Sequence, residues 1–291
     1  MNIEHLVLSG GGASGFSFYG ICRETLEQEY WKYENLKTIS CCSVGSIVGT
    51  ILALKTSWSV KDYWMIEESK MSIFSFSMSS FFNLPFRTGI FDSSSIRNIF
   101  SHLFTRLNIP MNITLFQFYV MTNIEVIFTS TDLHQFKPVY ISYISHPEWM
   151  LMDAIYSSIN VPLFFTIYEK NNISYTDGGL TCVYPIQTLL DRKIDPDTIL
   201  CIGRKSLYLE KNIISSKWYF PSSISFFFHT IIERCVMLSG YTPLKNLIIV
   251  HTTFFEYTDL FSIAFFRSTR LRLYTKGRDM AKKYLNGKKL P

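Results

Sequence analysis

Ser43 lies where one apolar segment of the chain ends and another begins. Residues 36–40 are typical of a strand, and residues 46–55 are long and apolar enough for a buried helix. A serine at a sharp strand-to-helix turn is the layout of a nucleophile elbow, which exposes the hydroxyl to attack an acyl carbonyl. An ordinary turn with a helix-capping serine is the alternative. The pattern therefore predicts either an acyl hydrolase with Ser43 as nucleophile or a plain capped turn.

The elbow makes a steric demand on the residues two positions before and two positions after the serine. A turn this sharp imposes strained dihedral angles and brings strand and helix backbones close together, so both residues must be small. Gly45, next to Val44, meets the demand on one side, and Cys41 stands on the other side, where glycine is usual. Cys42 is a second potential nucleophile, but its spacing to Gly45 puts Ser43 at the tip of the turn.

A glycine-rich loop follows residues 5–9, which are typical of a buried strand. Its glycines are Gly10, Gly11, Gly12 and Gly15. Backbone amides in such a loop, at the start of a helix, can bind an anion. A dinucleotide site would need an acidic residue where the second strand ends in Ser40 and Cys41, and a P-loop would need lysine followed by serine or threonine. An oxyanion hole and a simple flexible turn remain as interpretations.

Asp177 begins an Asp-Gly-Gly sequence that, taken alone, is a common turn. A serine nucleophile needs a base to accept its proton, and that base is usually histidine. The histidines form no constellation with the elbow; they are His5, His102, His134, His146, His229 and His251. An aspartate acting directly on the serine would fill this role, so Asp177 is the candidate base.

The glycine loop, the serine elbow and the Asp-Gly-Gly turn, in this order, resemble the patatin-like phospholipases. The resemblance extends to segments between and after these motifs. These segments are 88–92, 96–97, 124–133, 137–140, 154–164 and 276–285. Several motifs in a fixed order are more specific than any one of them, and the last segment resembles the final helix of bacterial and large-virus members.

The resemblance implies an α/β protein: a three-layer α/β/α patatin-like hydrolase fold with a mostly parallel central sheet. It makes Ser43 the nucleophile and Asp177 the general base of a Ser-Asp dyad that works without histidine. Backbone amides of the glycine loop would form the oxyanion hole. The expected reaction is hydrolysis of an ester bond in a phospholipid or another lipid ester, and it needs no metal or organic cofactor.

Two positions depart from the family pattern. Ser14 stands where the glycine loop usually has lysine or arginine, and Cys41 stands where the elbow usually has glycine. These departures motivate a second hypothesis, in which the chain is a catalytically impaired member that binds a membrane or a protein partner as a scaffold. An active enzyme that requires a protein activator is a further alternative.

The chain of 291 residues contains no Gly/Ser/Pro-rich linker, which favours one domain. Residues 1–190 are predicted to form the catalytic core, and residues 191–291 an extension that completes the same domain. Aromatic content is high, and part of it falls in two apolar clusters. Residues 73–86 would form a mobile lid, the wall of an acyl channel or part of the core. Residues 218–228 are too short to span a membrane but suit an interface.

The carboxy-terminal end is basic and amphipathic, in a chain of net charge +5. Its basic residues are Arg267, Arg270, Arg272, Lys276, Arg278, Lys282, Lys283, Lys288 and Lys289. A helix of this kind can bind an anionic membrane surface, each charge contributing roughly 1 kcal/mol; a solvated last helix is the alternative. Nucleic-acid binding is not expected as the main function, because attraction to phosphate is generic and no recognition motif accompanies the charge.

The amino terminus lacks the basic, apolar and small-residue regions of a secretory signal peptide. The cysteines have no metal-ligand spacing, and Cys41 and Cys42 are adjacent, which favours reduced thiols in the cytosol. The sequence also contains no acidic calcium-binding loop. We therefore expect a cytoplasmic protein, either free or peripherally bound to membranes.

Overall fold

The computed structural model describes residues 2–68, 89–206, 230, 234, 242, 244–252 and 262–289. The apolar clusters at 73–86 and 218–228 lie outside these residues. Within the described part, the chain forms an eight-stranded mixed sheet, a two-stranded sheet and helices on both sides of the larger sheet.

The strands and helices follow one another in the alternating order that is typical of α/β proteins. The strands are β1 (His5–Leu8), β2 (Thr38–Cys42), β3 (Gly89–Phe91), β4 (Glu125–Asp132), β5 (Lys137–Ile141), β6 (Leu163–Phe165), β7 (Tyr168–Lys170), β8 (Ile173–Asp177), β9 (Ile199–Ser206) and β10 (Leu247–Thr252). The helices are α1 (Gly15–Glu27), α2 (Val44–Ala53), α3 (Trp58–Asp62), α4 (Ser93–Arg106), α5 (Leu115–Thr122), α6 (Leu151–Ile159), α7 (Gln187–Leu190) and α8 (Arg267–Lys289). A π-helical turn, Tyr63–Glu67, follows α3.

The parallel part of the larger sheet has the strand order β10-β9-β1-β2-β4, and β5, β7 and β8 add antiparallel pairs beside it. Both β1 and β2 are buried at every position, as expected for parallel strands covered on both faces. Alternate residues of β1 face opposite sides of the sheet. Leu6 and Leu8 pack in the larger core cluster, whereas Val7 packs in a smaller cluster with Ile127 and Cys201. The predicted α/β fold, with a mostly parallel sheet between helices, is confirmed.

The carboxyl ends of β2 and β8 meet on one edge of β4. β5 pairs with β4 over residues 128–132 and therefore fills the opposite edge along this stretch. β2 and β8 share the remaining edge, where Cys42 pairs with Thr129 and Asp177 pairs with Ser130. β2 runs parallel to β4 and β8 runs antiparallel to it, so the two strands approach each other and end one residue apart. This register places the residue after Cys42 beside Asp177.

The last helix, α8, packs along α1 in the same direction. Ser17 Oγ donates to the carbonyl of Leu273 at 2.8 Å, and further along both helices Arg278 pairs with Glu24 at 2.7 Å. The two backbones touch at Gly277, where a Cβ atom would lie 2.0 Å from the carbonyl oxygen of Ser17. Because α1 starts directly after the glycine loop, α8 begins at the same end of the sheet as Ser43.

Candidate active site

Ser43 occupies the turn between β2 and α2 with a strained backbone. Its φ of 52° and ψ of −129° lie in a region that L-residues other than glycine rarely adopt. Strain of this kind persists only where the surrounding structure enforces it, and it is common at functional sites. Since α2 starts at Val44, the Ser43 side chain stands at the carboxyl edge of the sheet and at the amino end of a helix. This turn has the layout of the predicted elbow.

Small residues around the turn allow strand and helix to approach closely. A Cβ atom on Gly45 would lie 2.5 Å from the carbonyl oxygen of Leu8, so no larger residue fits there. Cys41 is fully buried, and its thiol lies 3.2 Å from the carbonyl oxygen of Ile127. Its sulfur faces Gly49 of α2, where a Cβ atom would already be in contact at 3.4 Å. The side chain of Cys41 is thus accommodated opposite a glycine of the helix that follows.

Asp177 ends β8 and accepts a hydrogen bond from the Ser43 hydroxyl. Ser43 Oγ donates to Asp177 Oδ2 at 2.6 Å, and the Gly179 amide donates to Asp177 Oδ1 at 2.7 Å. Burial raises the pKa of Asp177 to about 6, although both hydrogen bonds favour the ionised form and act against this rise. A carboxyl group with this pKa is ionised at neutral pH and is able to accept a proton. The structure therefore brings the two predicted catalytic side chains together.

Other groups near the pair are poorly placed to replace either member. Cys42 is fully buried, and burial raises the pKa of its thiol well above the usual range, so it stays protonated beside Ser43. In the described part of the chain, no histidine bonds to the pair; His102, for example, bonds Glu68. Nor do these residues include a group of three or more His, Cys, Asp or Glu side chains that could hold a metal ion.

The glycine loop lies against the elbow, and its amides divide into two kinds. The Gly10 amide donates to the carbonyl of Val183 at 2.9 Å, and the Gly15 amide donates to the carbonyl of Gly12 at the start of α1. The amides of Gly11 and Gly12 have no acceptor among the described residues. Of the four glycines predicted for an oxyanion hole, these two retain amides that are available to a ligand.

β9 places a buried arginine, Arg204, behind the glycine loop. The loop itself has the uncharged Ser14 at the position where a basic residue is usual. Arg204 is 4% exposed, and its side chain packs so closely on Gly11 that a Cβ atom there would lie 3.0 Å from Arg204 Cδ. Arg204 Nε donates to Thr252 Oγ1 at 3.0 Å. Sequence reasoning missed this residue, because only the pairing of β9 with β1 brings it to the loop.

The end of α6 lies behind both members of the pair. The Ser43 amide donates to Ser158 Oγ at 3.1 Å, and the Asp177 amide donates to the carbonyl of Asn160 at 3.4 Å. Sequence reasoning assigned no role to Ser158, because one of two adjacent serines in an apolar helix carries no pattern of its own. The contact becomes visible only once β2, β4 and α6 are packed together.

The sheet and its flanking helices define an α/β protein, and the turn at Ser43 lies at the carboxyl edge of this sheet. The family model for patatin-like phospholipase matches residues 6–190, and the chain belongs to this family.

Two viral proteins and one bacterial structure are similar to the chain. It is 29% identical over 193 residues to an uncharacterized protein of Acanthamoeba polyphaga mimivirus, covering 66% of this chain and 63% of that protein. It is 24% identical over 230 residues to a probable lipid hydrolase of Invertebrate iridescent virus 6, covering 76% of each. The structure of VipD from Legionella pneumophila matches with a TM-score of 0.55 and 14% identity, over 99% of this chain and 67% of that one. This last likeness supports the fold.

Proposed function

We propose that this chain hydrolyses an ester bond of a lipid, with Ser43 as the nucleophile and Asp177 as the general base. The observation that carries the proposal is the 2.6 Å hydrogen bond from Ser43 Oγ to Asp177 Oδ2 at a strained turn. Membership of the patatin-like phospholipase family and similarity to a viral protein described as a probable lipid hydrolase support a lipid substrate.

The proposed reaction proceeds through an acyl-enzyme. Ser43 Oγ attacks the acyl carbonyl carbon while Asp177 takes the hydroxyl proton. The amides of Gly11 and Gly12 stabilise the oxyanion, and the Val44 amide, which has no intrahelical acceptor, is a third donor. The ester bond then breaks, and the proton on Asp177 passes to the departing alcohol. Water attacks the acyl-serine and gives a proton to Asp177, which returns it to Ser43 as the fatty acid leaves.

Peripheral binding to an anionic membrane surface is part of the proposal. The residues just before α8 and the outer face of α8 expose two aromatic rings and four basic side chains. These are Phe265, Phe266, Arg267, Arg272, Lys282 and Lys283, of which Arg267 pairs with Glu67. Arg270 and Arg278 belong to the same predicted basic set but turn toward the protein, onto backbone carbonyls and onto Glu24 respectively. No helix in the described ranges is long and apolar enough to cross a bilayer.

A fluorophosphonate probe, which reacts with activated serines, tests the nucleophile and the base. We expect the wild type to be labelled, and Ser43→Ala and Asp177→Asn to lose labelling. The matched control is Cys42→Ala, which removes the neighbouring potential nucleophile and should keep labelling. Labelling that persists in Ser43→Ala would overturn the assignment.

The same assay separates the enzyme from the impaired scaffold. It is repeated with anionic vesicles and with cell extract, which would supply a membrane surface or a protein activator. If the wild type stays unlabelled in all three conditions, the scaffold hypothesis is favoured. If it is labelled, mass spectrometry of the lipids released from mixed phospholipid vesicles identifies the head group and acyl position that are cleaved.

A further inference from the structure

The Ser158 hydroxyl, at the end of α6, links three separate elements. It is fully buried and hydrogen-bonds the Ser43 amide at 3.1 Å, Ser46 Oγ at 2.8 Å and the carbonyl of Thr129 at 2.6 Å. The first partner is the elbow itself, the second is in the first turn of α2, and the third is on β4.

Counting hydrogens fixes the direction of each bond. A carbonyl can only accept, so the single hydroxyl hydrogen of Ser158 goes to Thr129. Ser46 must then donate its own hydroxyl hydrogen to Ser158, as the Ser43 amide also does. Ser158 Oγ therefore donates once and accepts twice, which satisfies a hydroxyl group and leaves it one orientation.

The same helical turn also holds the other member of the pair. The carbonyl of Asn160 accepts from the Asp177 amide at 3.4 Å and from Thr176 Oγ1 at 2.9 Å. The carboxyl end of α6, with the residue that caps it, thus contacts the strained residue after β2 and the last two residues of β8. Any shift of this turn would move Ser43 and Asp177 relative to each other.

We propose that Ser158 is a positioning residue, which holds the Ser43 amide so that Ser43 Oγ meets Asp177. The proposal rests on the proposed function and deepens it. The bond fixes the peptide group of a residue whose φ of 52° is otherwise unfavourable. A misplacement of about 1 Å at a reacting atom costs on the order of a hundredfold in rate. Because the hydroxyl is buried behind the elbow, away from a bound substrate, its loss should lower kcat and leave KM unchanged.

The neighbouring serine provides a matched control. Ser157 is also fully buried in α6, but its hydroxyl bonds the carbonyl of Ala154 in the same helix, at 3.0 Å. We expect Ser158→Ala to lower kcat and the fluorophosphonate labelling rate by about 10- to 100-fold, with KM within twofold of the wild type. Ser157→Ala should stay within about threefold in all three quantities, since it leaves the elbow untouched. Equal kcat values for the two variants would overturn the proposal.

A second pair of variants separates the hydroxyl from the volume of the side chain, and it also serves if Ser158→Ala does not fold. Ser158→Thr keeps the hydroxyl group, whereas Ser158→Val has the same shape as the threonine variant but lacks the hydroxyl group. We expect the threonine variant to be labelled at least tenfold faster than the valine variant. Equal labelling rates would show that the hydrogen bond does not matter, even though the wild type is active. An unlabelled wild type would instead remove the proposed function and this proposal with it.

Discussion

Two regions of the molecule bring together residues that are far apart in the chain, and they do so by different means. At the site of the proposed dyad, called the dyad junction below, β2 and β8 meet on β4, and strand register and hydrogen bonds place Ser43 against Asp177. At the α1–α8 seam, direct backbone contact sets the distance, because Gly277 lies against the carbonyl of Ser17. The first region holds the proposed nucleophile and base in one geometry, and the second packs a helix against the core.

Each region also contains a buried carboxyl group, and within the described part of the chain only one of the two has a cationic partner. At the dyad junction, burial raises the pKa of Asp177, so the ionised form that the proposed chemistry needs is disfavoured by its surroundings. At the seam, the carboxylate of Glu24 is buried but pairs with Arg278 at 2.7 Å. Substitutions at the junction should therefore change activity more than stability, and substitutions at the seam should do the reverse.

Replacing the proposed base gives the largest expected effect. Asp177→Asn keeps the shape of the side chain but cannot accept the Ser43 proton, and general-base catalysis contributes about 10²- to 10⁴-fold. We expect kcat to fall by about a thousandfold while the thermal unfolding temperature stays the same or rises. Steady-state kinetics on a short-chain ester and a thermal melt measure both. A kcat within tenfold of the wild type would show that another group takes the proton.

Much of the dyad junction could be predicted from the sequence, because its chemistry restricts residue types locally. Gly45 marks the elbow and the two glycines after Asp177 mark the second turn, whichever tertiary contacts follow. Less of the α1–α8 seam could be predicted from the sequence. Helical spacing indicates that Arg270 and Arg278 lie on one face of a last helix, but whether this face meets lipid or protein depends on where Gly277 docks. The contact between Ser158 and Ser43 could not be predicted from the sequence either, because it depends on how α6 packs behind β2.

Gly277→Ala gives the next largest effect. It tests whether α1 and α8 are in backbone contact, because it adds only a methyl group at the point of contact. The added Cβ would lie 2.0 Å from a backbone oxygen of α1, which cannot move aside as a flexible side chain could. We expect a loss of about 3 kcal/mol in the free energy of unfolding. Gly287→Ala is the control, since among the described residues no atom outside its own stretch of helix lies within 4 Å of the new Cβ. It should be neutral or gain up to about 1 kcal/mol from helix propensity. Equal denaturant midpoints for the two variants would mean that α8 does not dock through Gly277.

A smaller effect is expected from the ion pairs of α8. Arg278→Met leaves the Glu24 carboxylate buried without its cation, at a cost of about 2 kcal/mol in unfolding free energy. Arg267→Met removes the partner of Glu67 at the start of the same helix, where both side chains are exposed. That change should leave the unfolding temperature unaltered, because exposed pairs contribute little. Urea titrations of both variants measure the loss of unfolding free energy. An equal loss in each would show that burial of Glu24 does not make its ion pair more important than the exposed pair of Glu67.

The smallest expected effect, at about tenfold in activity for each pH unit, is a pH dependence in which activity and stability move in opposite directions. The pKa of Asp177 is about 6 in the folded protein, against about 3.9 for an unfolded aspartate. The proposed base must be ionised, so kcat/KM should rise to half its plateau near pH 6 and fall about tenfold for each unit below that. The folded state binds more protons than the unfolded state between these pKa values. Its stability is therefore greatest below pH 4 with respect to this group and declines as pH rises through 6.

Asp177→Asn removes both dependences at once and so isolates the contribution of this carboxyl group. Compared with the wild type, the variant should gain unfolding free energy at pH 8 and lose that advantage near pH 4. A pH–rate profile of the wild type and thermal melts of both proteins at each pH provide the measurement. If kcat/KM of the wild type does not change between pH 5 and pH 7, ionisation of Asp177 is not needed for catalysis. If the difference in stability between the two proteins does not change with pH, burial at the junction does not disfavour the ionised form of Asp177. If both curves bend near pH 6, a single buried carboxyl group accounts both for the reactivity proposed at the dyad junction and for the loss of stability there as pH rises.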